Sequence, residues 1–101
     1  MAWKGRIKPG MKSEYIRRHD NIWPEMTALF KDAGIQNYTI FCSGDELFGC
    51  FECAKGVAHA ERTQAESAVV SRWNGYMNDV LELEIDPATG AQVKLDIVFR
   101  T

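Results

Sequence analysis

The chain alternates from its first residues. Trp3, Gly5 and Ile7 share one side while Ala2, Lys4, Arg6 and Lys8 share the other, until Pro9-Gly10 breaks the run. This is the period-two pattern of a strand ended by a turn. The period then lengthens to that of a helix. Tyr15 and His19 stand four residues apart with Met11 one turn earlier, so over residues 11 to 19 the three fall on one helical face. Pro24 lacks an N–H and pushes the residue before it out of helical angles, so this helix should stop near Asn21 and a new one begin at Pro24. From Pro24 to Ala33 the apolar Met26, Leu29, Phe30 and Ala33 recur at i, i+3, i+4 and i+7, and Gly34 stands at the expected C-terminal cap.

Two strand-like runs, Ile35 to Cys42 and Leu47 to Cys53, flank Ser43-Gly44-Asp45-Glu46 and read as an antiparallel hairpin. Both of its faces are apolar. Tyr38 and Ile40 lie on one, Phe41 on the other, and Phe48 and Phe51 on opposite sides. If helices cover one face, the other needs a second subunit, a ligand cavity, or both. Lys55 to Ser67 reads as a weakly amphipathic helix with Ala58, Ala65 and Ala68 as its apolar side. Val69, Trp73, Tyr76 or Met77, and Val80 then repeat at helical spacing up to Leu81. After the turn Asp86-Pro87-Ala88-Thr89-Gly90, the residues Val93, Leu95, Ile97 and Phe99 alternate with Gln92, Lys94, Asp96 and Arg100, which predicts a last strand.

The order is β-α-β-β-α-β, an α+β ferredoxin-like arrangement whose two crossovers lay helices on one face of a four-stranded antiparallel sheet. The bare sheet face is best covered by a second copy, giving a homodimer, a dimeric α/β barrel, with a cavity between each sheet and its own loops.

Composition narrows the function. At 101 residues the expectation is a single domain spanning 1–101, burying between roughly 60% and 70% of its unfolded surface. The 12 basic and 14 acidic residues give a net charge of -2 with no run of one sign, which supports neither a nucleic-acid stripe nor a polybasic membrane anchor. Met1-Ala2-Trp3-Lys4-Gly5 lacks the apolar segment of a signal peptide, and no apolar run approaches the ~20 residues of a membrane span, so a cytoplasmic protein is expected. Cys42, Cys50 and Cys53 are an odd set that argues against a disulfide framework. Cys50 and Cys53 match C-x-x-C, but in a strand their thiols point to opposite faces and a second ligand pair is missing, so no metal site is expected.

The chemistry is concentrated around His19, whose usual pKa of about 6.5 lets it give and take a proton near neutrality. Alone, a helix-end histidine caps carbonyls or faces water. Tyr15, Trp23 and Tyr38 add aromatic faces with polar tips, which suit a sugar ring with its apolar C–H patches and hydroxyl rim. Trp73 belongs to the stripe that packs inward, with Asn74 and Asp79 as polar positions beside it, free either to bond a hydroxylated ligand or to face water. His59, between Ala58 and Ala60, reads as solvent-facing.

These residues carry a resemblance. Tyr15, His19, Ile22-Trp23-Pro24-Glu25, Asn37-Tyr38-Thr39-Ile40-Phe41 and Arg72-Trp73 with Tyr76-Met77 and Asp79 resemble, in order and at family length, the L-rhamnose mutarotase family, which includes members assigned to L-fucose. The resemblance implies a dimeric ferredoxin-like fold and a monosaccharide substrate, with His19 as proton donor and Tyr15 and Tyr38 as sugar contacts. Trp73 corresponds to the first of the family's tandem tryptophans. Asn74 replaces the second, exchanging a stacking surface for room or a hydrogen-bonding group, a change that bears on sugar choice.

Anomer interconversion protonates the ring oxygen, deprotonates the anomeric hydroxyl, opens the ring to an aldehyde and closes it on the other face, with no metal or cofactor required. Two alternatives use the same scaffold: a cofactor-independent monooxygenase, and a non-catalytic sugar-binding or dimerisation module.

Overall fold

The computed structural model describes residues 1–88 and 92–101. Its elements are β1 (Ala2–Ile7), α1 (Lys12–Asp20), α2 (Pro24–Ala33), β2 (Ile35–Ser43), β3 (Glu46–Cys53), α3 (Val57–Ala65), α4 (Ala68–Met77), β4 (Leu81–Leu83) and β5 (Lys94–Leu95). The sheet order is β2-β3-β1-β4, with β5 also paired to β1 and every pairing antiparallel. This is the ferredoxin-like order, with the split crossovers that the alternation of elements predicts.

The helical pair of the first crossover follows its punctuation. Asn21 caps α1, its backbone N–H donating to the Arg17 carbonyl and that of Ile22 to the His19 carbonyl, while Pro24 opens α2 behind an extended Trp23. Gly34 ends α2 at φ 74°, and a Cβ there would meet the backbone nitrogen of Lys55 at 2.9 Å, so the helix can turn into β2 only through a glycine. The apolar faces of the helices meet the Trp3, Ile7, Leu47 and Phe51 side of the sheet. Ile7, Leu47, Met77 and Val80 are almost wholly buried at its centre.

Two elements differ from the sequence expectation. The last helix ends at Met77, not Leu81: Val80 keeps its apolar period but sits buried in the connection, its carbonyl accepting from Lys8 N–H at 3.0 Å, and Leu81–Leu83 pairs with β1 as a strand. The predicted last strand is reduced to Lys94–Leu95. Its partner is the reason. Ile7 to Gly5 is already paired with Leu81 to Leu83, leaving Lys4, Trp3 and Ala2, of which Trp3 and Ala2 take Lys94 and Leu95, so residues after Leu95 run past the start of β1. The fourth strand position is thus filled in two pieces, with an excursion between them that includes the Ile85 to Gln92 bridge. Thr89 and Gly90 of the predicted turn lie outside the described residues.

A third difference concerns α3, whose buried residue is Ala60 while Ala58, Ala65 and Ala68 are exposed. The weak apolar signal of this helix was too diffuse to fix its rotation. Among the described residues no helix is long and apolar enough to cross a membrane.

Candidate functional site

Five residues singled out in the sequence, Tyr15, His19, Tyr38, Trp73 and Asn74, line one basin of about 1120 Å³. It opens between the sheet and its helices rather than between the sheet and its loops. Its size admits a pyranose with room for water.

His19 sits near the C-terminal end of α1, one turn after Tyr15. The two rings stack with centroids 4.3 Å apart. Trp73 meets the imidazole edge-on at 5.5 Å from the α4 side. His19 Nδ1 lies 3.1 Å from the Tyr15 carbonyl oxygen. A carbonyl oxygen can only accept, so Nδ1 carries the hydrogen and donates it, and the neutral ring keeps its lone pair on Nε2. Burial pushes the His19 pKa below its usual value, opposed by the Tyr15 bond and by Asp20. Near neutrality His19 is therefore an uncharged ring with a proton-accepting Nε2.

Tyr38 reaches the basin through a flaw in the hairpin. Gln36 pairs with Glu52 and Thr39 with Cys50, so Asn37 and Tyr38 together oppose one residue of β3. Without this bulge the inward series from Ile35 would continue through Asn37. With it, the inward series becomes Tyr38, Ile40 and Cys42. Asn37 accommodates the bulge at φ 52°, and its side-chain amide donates to Glu52 Oε2 at 3.0 Å. Asparagine tolerates this left-handed region better than most residues with a Cβ.

The Tyr38 ring lies between Phe30 and Phe51, with centroids at 5.4 and 4.9 Å. Its hydroxyl accepts the indole N–H of Trp3 at 2.6 Å. Burial raises its pKa to about 12 despite that bond. Burial likewise raises Tyr15, with Tyr38 and Cys42, which line the same basin, adding to the effect. Both phenols stay protonated and act as hydrogen-bond donors and acceptors, not as acids that give up their protons.

Trp73 is buried and extends the aromatic wall outward, meeting Trp23 edge-on at 5.1 Å. Trp23 in turn lies 5.3 Å from Tyr76. Asn74 is exposed at the rim and borders both the basin and a neighbouring groove of about 410 Å³ beside Lys8, Asn78 and Glu82. Asp79 takes the structural alternative: both of its oxygens accept from Arg18, at 2.7 and 3.0 Å, and the guanidinium lies 4.5 Å over the Tyr76 ring. Arg18 also donates to Glu14, whose carboxyl is held down at about 2 mainly by its bonds to Arg17 and Arg18. This network ties the helix of His19 to the end of the helix of Trp73. His59 is half-buried, its Nε2 at 3.1 Å from the Asp32 carbonyl, well used by the fold.

Two features of the basin were not singled out in the sequence. Trp3 read only as the inward side of a strand, and nothing local signals that its N–H would find Tyr38 35 residues away. Lys94 and Glu61 form an ion pair at the edge of the basin, joining β5 to a helix whose orientation the sequence left open.

A ferredoxin-like sheet order and a neutral histidine set among aromatics between sheet and helices define a small-ligand protein of the α+β class. The chain belongs to the L-rhamnose mutarotase family: the family's sequence model, described as L-rhamnose mutarotase, matches residues 1–101. It is 39% identical over 93 residues to an L-rhamnose mutarotase of Acidiphilium cryptum, covering 90% of this chain and 88% of that protein. A Sinorhizobium fredii L-rhamnose mutarotase is 37% identical over 100 residues, covering 97% and 93%. The crystal structure of an L-rhamnose mutarotase from Formosa agariphila superposes with a TM-score of 0.79 at 29% identity, covering 99% of this chain and 95% of that one.

Proposed function

We propose that this chain is an aldose mutarotase, an isomerase that interconverts the α and β pyranose anomers of a 6-deoxyhexose, L-rhamnose or L-fucose, by acid–base ring opening. The observation that carries the reading at the level of chemistry is the Nδ1–H bond of His19 to the Tyr15 carbonyl, which leaves Nε2 as a proton acceptor in an aromatic basin. The family match supports the sugar, and neither a monooxygenase nor a non-catalytic module is favoured beside it.

His19 serves as a shuttle. Nε2 takes the proton of the anomeric hydroxyl and delivers it to the ring oxygen on the same carbon. The bond between C1 and the ring oxygen breaks as the C1 carbonyl forms, giving the open aldehyde. Rotation about C1–C2 and the reverse transfer close the ring on the other face, and the imidazole returns neutral. The donor role expected from the sequence is the second half of this cycle. Tyr15 and Tyr38 hold sugar oxygens, Trp73 covers an apolar face of the ring, and Asn74 at the rim tunes which sugar is preferred. No metal or cofactor enters these steps.

The functional unit in this reading is a homodimer of single-domain chains. Its support is the outer face of the sheet, where Phe41 is 59% exposed beside Phe48 and Cys50, together with Ile97 and Phe99 at 64% and 79% beyond the start of β1. Such an apolar surface fits a second copy better than water. Free thiols at Cys42, Cys50 and Cys53 suit the reducing cytoplasm. Magnetisation exchange between the anomeric NMR signals of L-rhamnose and L-fucose tests the activity: accelerated exchange with the purified protein supports it, and no acceleration with either sugar rejects it.

A further inference from the structure

The reaction uses Tyr38, but the structure holds Tyr38 through residues that the reaction does not touch. Trp3 and Gly49 are direct partners across β1 and β3. The indole of Trp3 lies flat over Gly49. A Cβ built on Gly49 would stand 2.2 Å from indole Cε2 and 2.3 Å from Nε1, far inside van der Waals contact. Gly49 is therefore the floor on which the indole rests, and any side chain there would lift the ring. The same nitrogen donates to the Tyr38 hydroxyl at 2.6 Å.

Hydrogen-bond capacity then fixes the direction of Tyr38. An indole N–H can only donate, while a phenol has one proton and acceptor lone pairs. With Trp3 occupying an acceptor site, the Tyr38 proton cannot point back along that bond and is turned to another acceptor. Phe30 and Phe51 pack on the ring and offer no such acceptor, whereas Tyr38 also borders the basin, where a bound sugar would bring its oxygens.

We propose that Trp3 is a positioning residue that makes Tyr38 a hydrogen-bond donor toward the sugar, and that Gly49 is required because it gives the Trp3 indole its place. The proposal rests on the mutarotase reading and deepens it. Trp3 is expected to act only through Tyr38, so the loss from removing the Tyr38 hydroxyl should include the loss from removing the Trp3 donor.

The test is a double-mutant cycle on kcat/KM for anomer exchange with Trp3→Phe, Tyr38→Phe and the pair, joined to the NMR signal of the Trp3 indole proton. Trp3→Phe keeps an aromatic ring and deletes the donor. Its expected cost is about fivefold to tenfold in kcat/KM, the size of one hydrogen bond, and about nothing when Tyr38 is already Phe. The indole proton is expected downfield and to move upfield in Tyr38→Phe. Gly49→Ala should reproduce that shift, and if this variant does not fold, Gly49→Ala combined with Trp3→Leu should restore folding by removing the clashing ring. Additive losses in the cycle, or an indole proton indifferent to Tyr38→Phe, would overturn the proposal. Failure of the mutarotase reading would show separately, as wild-type protein without exchange activity but with the indole shift intact.

Discussion

His19 and Tyr15 are joined twice, by rings stacked 4.3 Å apart and by the bond from His19 Nδ1 to the Tyr15 carbonyl oxygen one helical turn back. The stack holds the plane of the imidazole and the bond sets its tautomer. The residue that could titrate either way is thereby left with one free nitrogen.

The pH dependence follows from this. Burial lowers the His19 pKa from 6.5, and the proposed shuttle needs the neutral ring, so kcat/KM should be flat at neutrality and fall about tenfold per pH unit below the folded pKa. No basic limb from Tyr38 is expected before its value of about 12. The same shift acts on stability. Between the folded pKa and 6.5 the unfolded chain binds the extra proton, so stability rises with pH through that window, and the full penalty is present below the folded pKa. Exchange rates corrected for buffer catalysis, with parallel denaturant titrations, check both signs.

Asn37 was visible in the sequence as part of a strand, but its role was not. Asn37→Gly should leave stability within about 0.5 kcal/mol, whereas Asn37→Val should cost about 1–2 kcal/mol and raise KM, because a β-branched residue resists φ 52° and restoring regular register would turn Tyr38 outward. Urea unfolding together with KM measurements separates the two substitutions.

Much of the fold was legible because its signals are local. Pro24 and Gly34 bracket α2 as expected, and the alternation of Trp3, Gly5 and Ile7 gave the buried face of β1. What was not legible depends on partners. The apolar period that continues through Val80 does not show where α4 ends, and the alternation from Val93 to Phe99 cannot report that Gly5 to Ile7 of β1 are already paired with β4 and that β1 stops at Ala2, opposite Leu95. In the site, the pairing of Tyr15 with His19 followed from helical spacing. The hold of Trp3 on Tyr38 needed the sheet register.

Asn74 borders the basin and the adjoining groove. Asn74→Trp should extend the aromatic wall begun by Trp73 and close off the groove. The kcat/KM ratio for L-rhamnose over L-fucose is expected to rise by about tenfold, the scale of one apolar contact in a pocket. An unchanged ratio would remove Asn74 from sugar choice.

Phe41 tests the assembly. At 59% exposed on the outer sheet face it is far from the basin side, so Phe41→Lys should weaken self-association by about 30-fold or more, as expected for a central aromatic in an interface. Sedimentation equilibrium of wild type and variant is the check, and a wild-type chain that stays monomeric at high concentration would contradict the homodimer.

The most direct test of the whole account is anomeric magnetisation exchange of L-rhamnose near neutral pH with wild type and His19→Gln, the latter keeping a polar side chain of similar reach. The account predicts accelerated exchange by the wild type and a loss of ~10²–10⁴-fold in the variant, with the fold retained by circular dichroism. A folded His19→Gln that exchanges the anomers as fast as the wild type would contradict it.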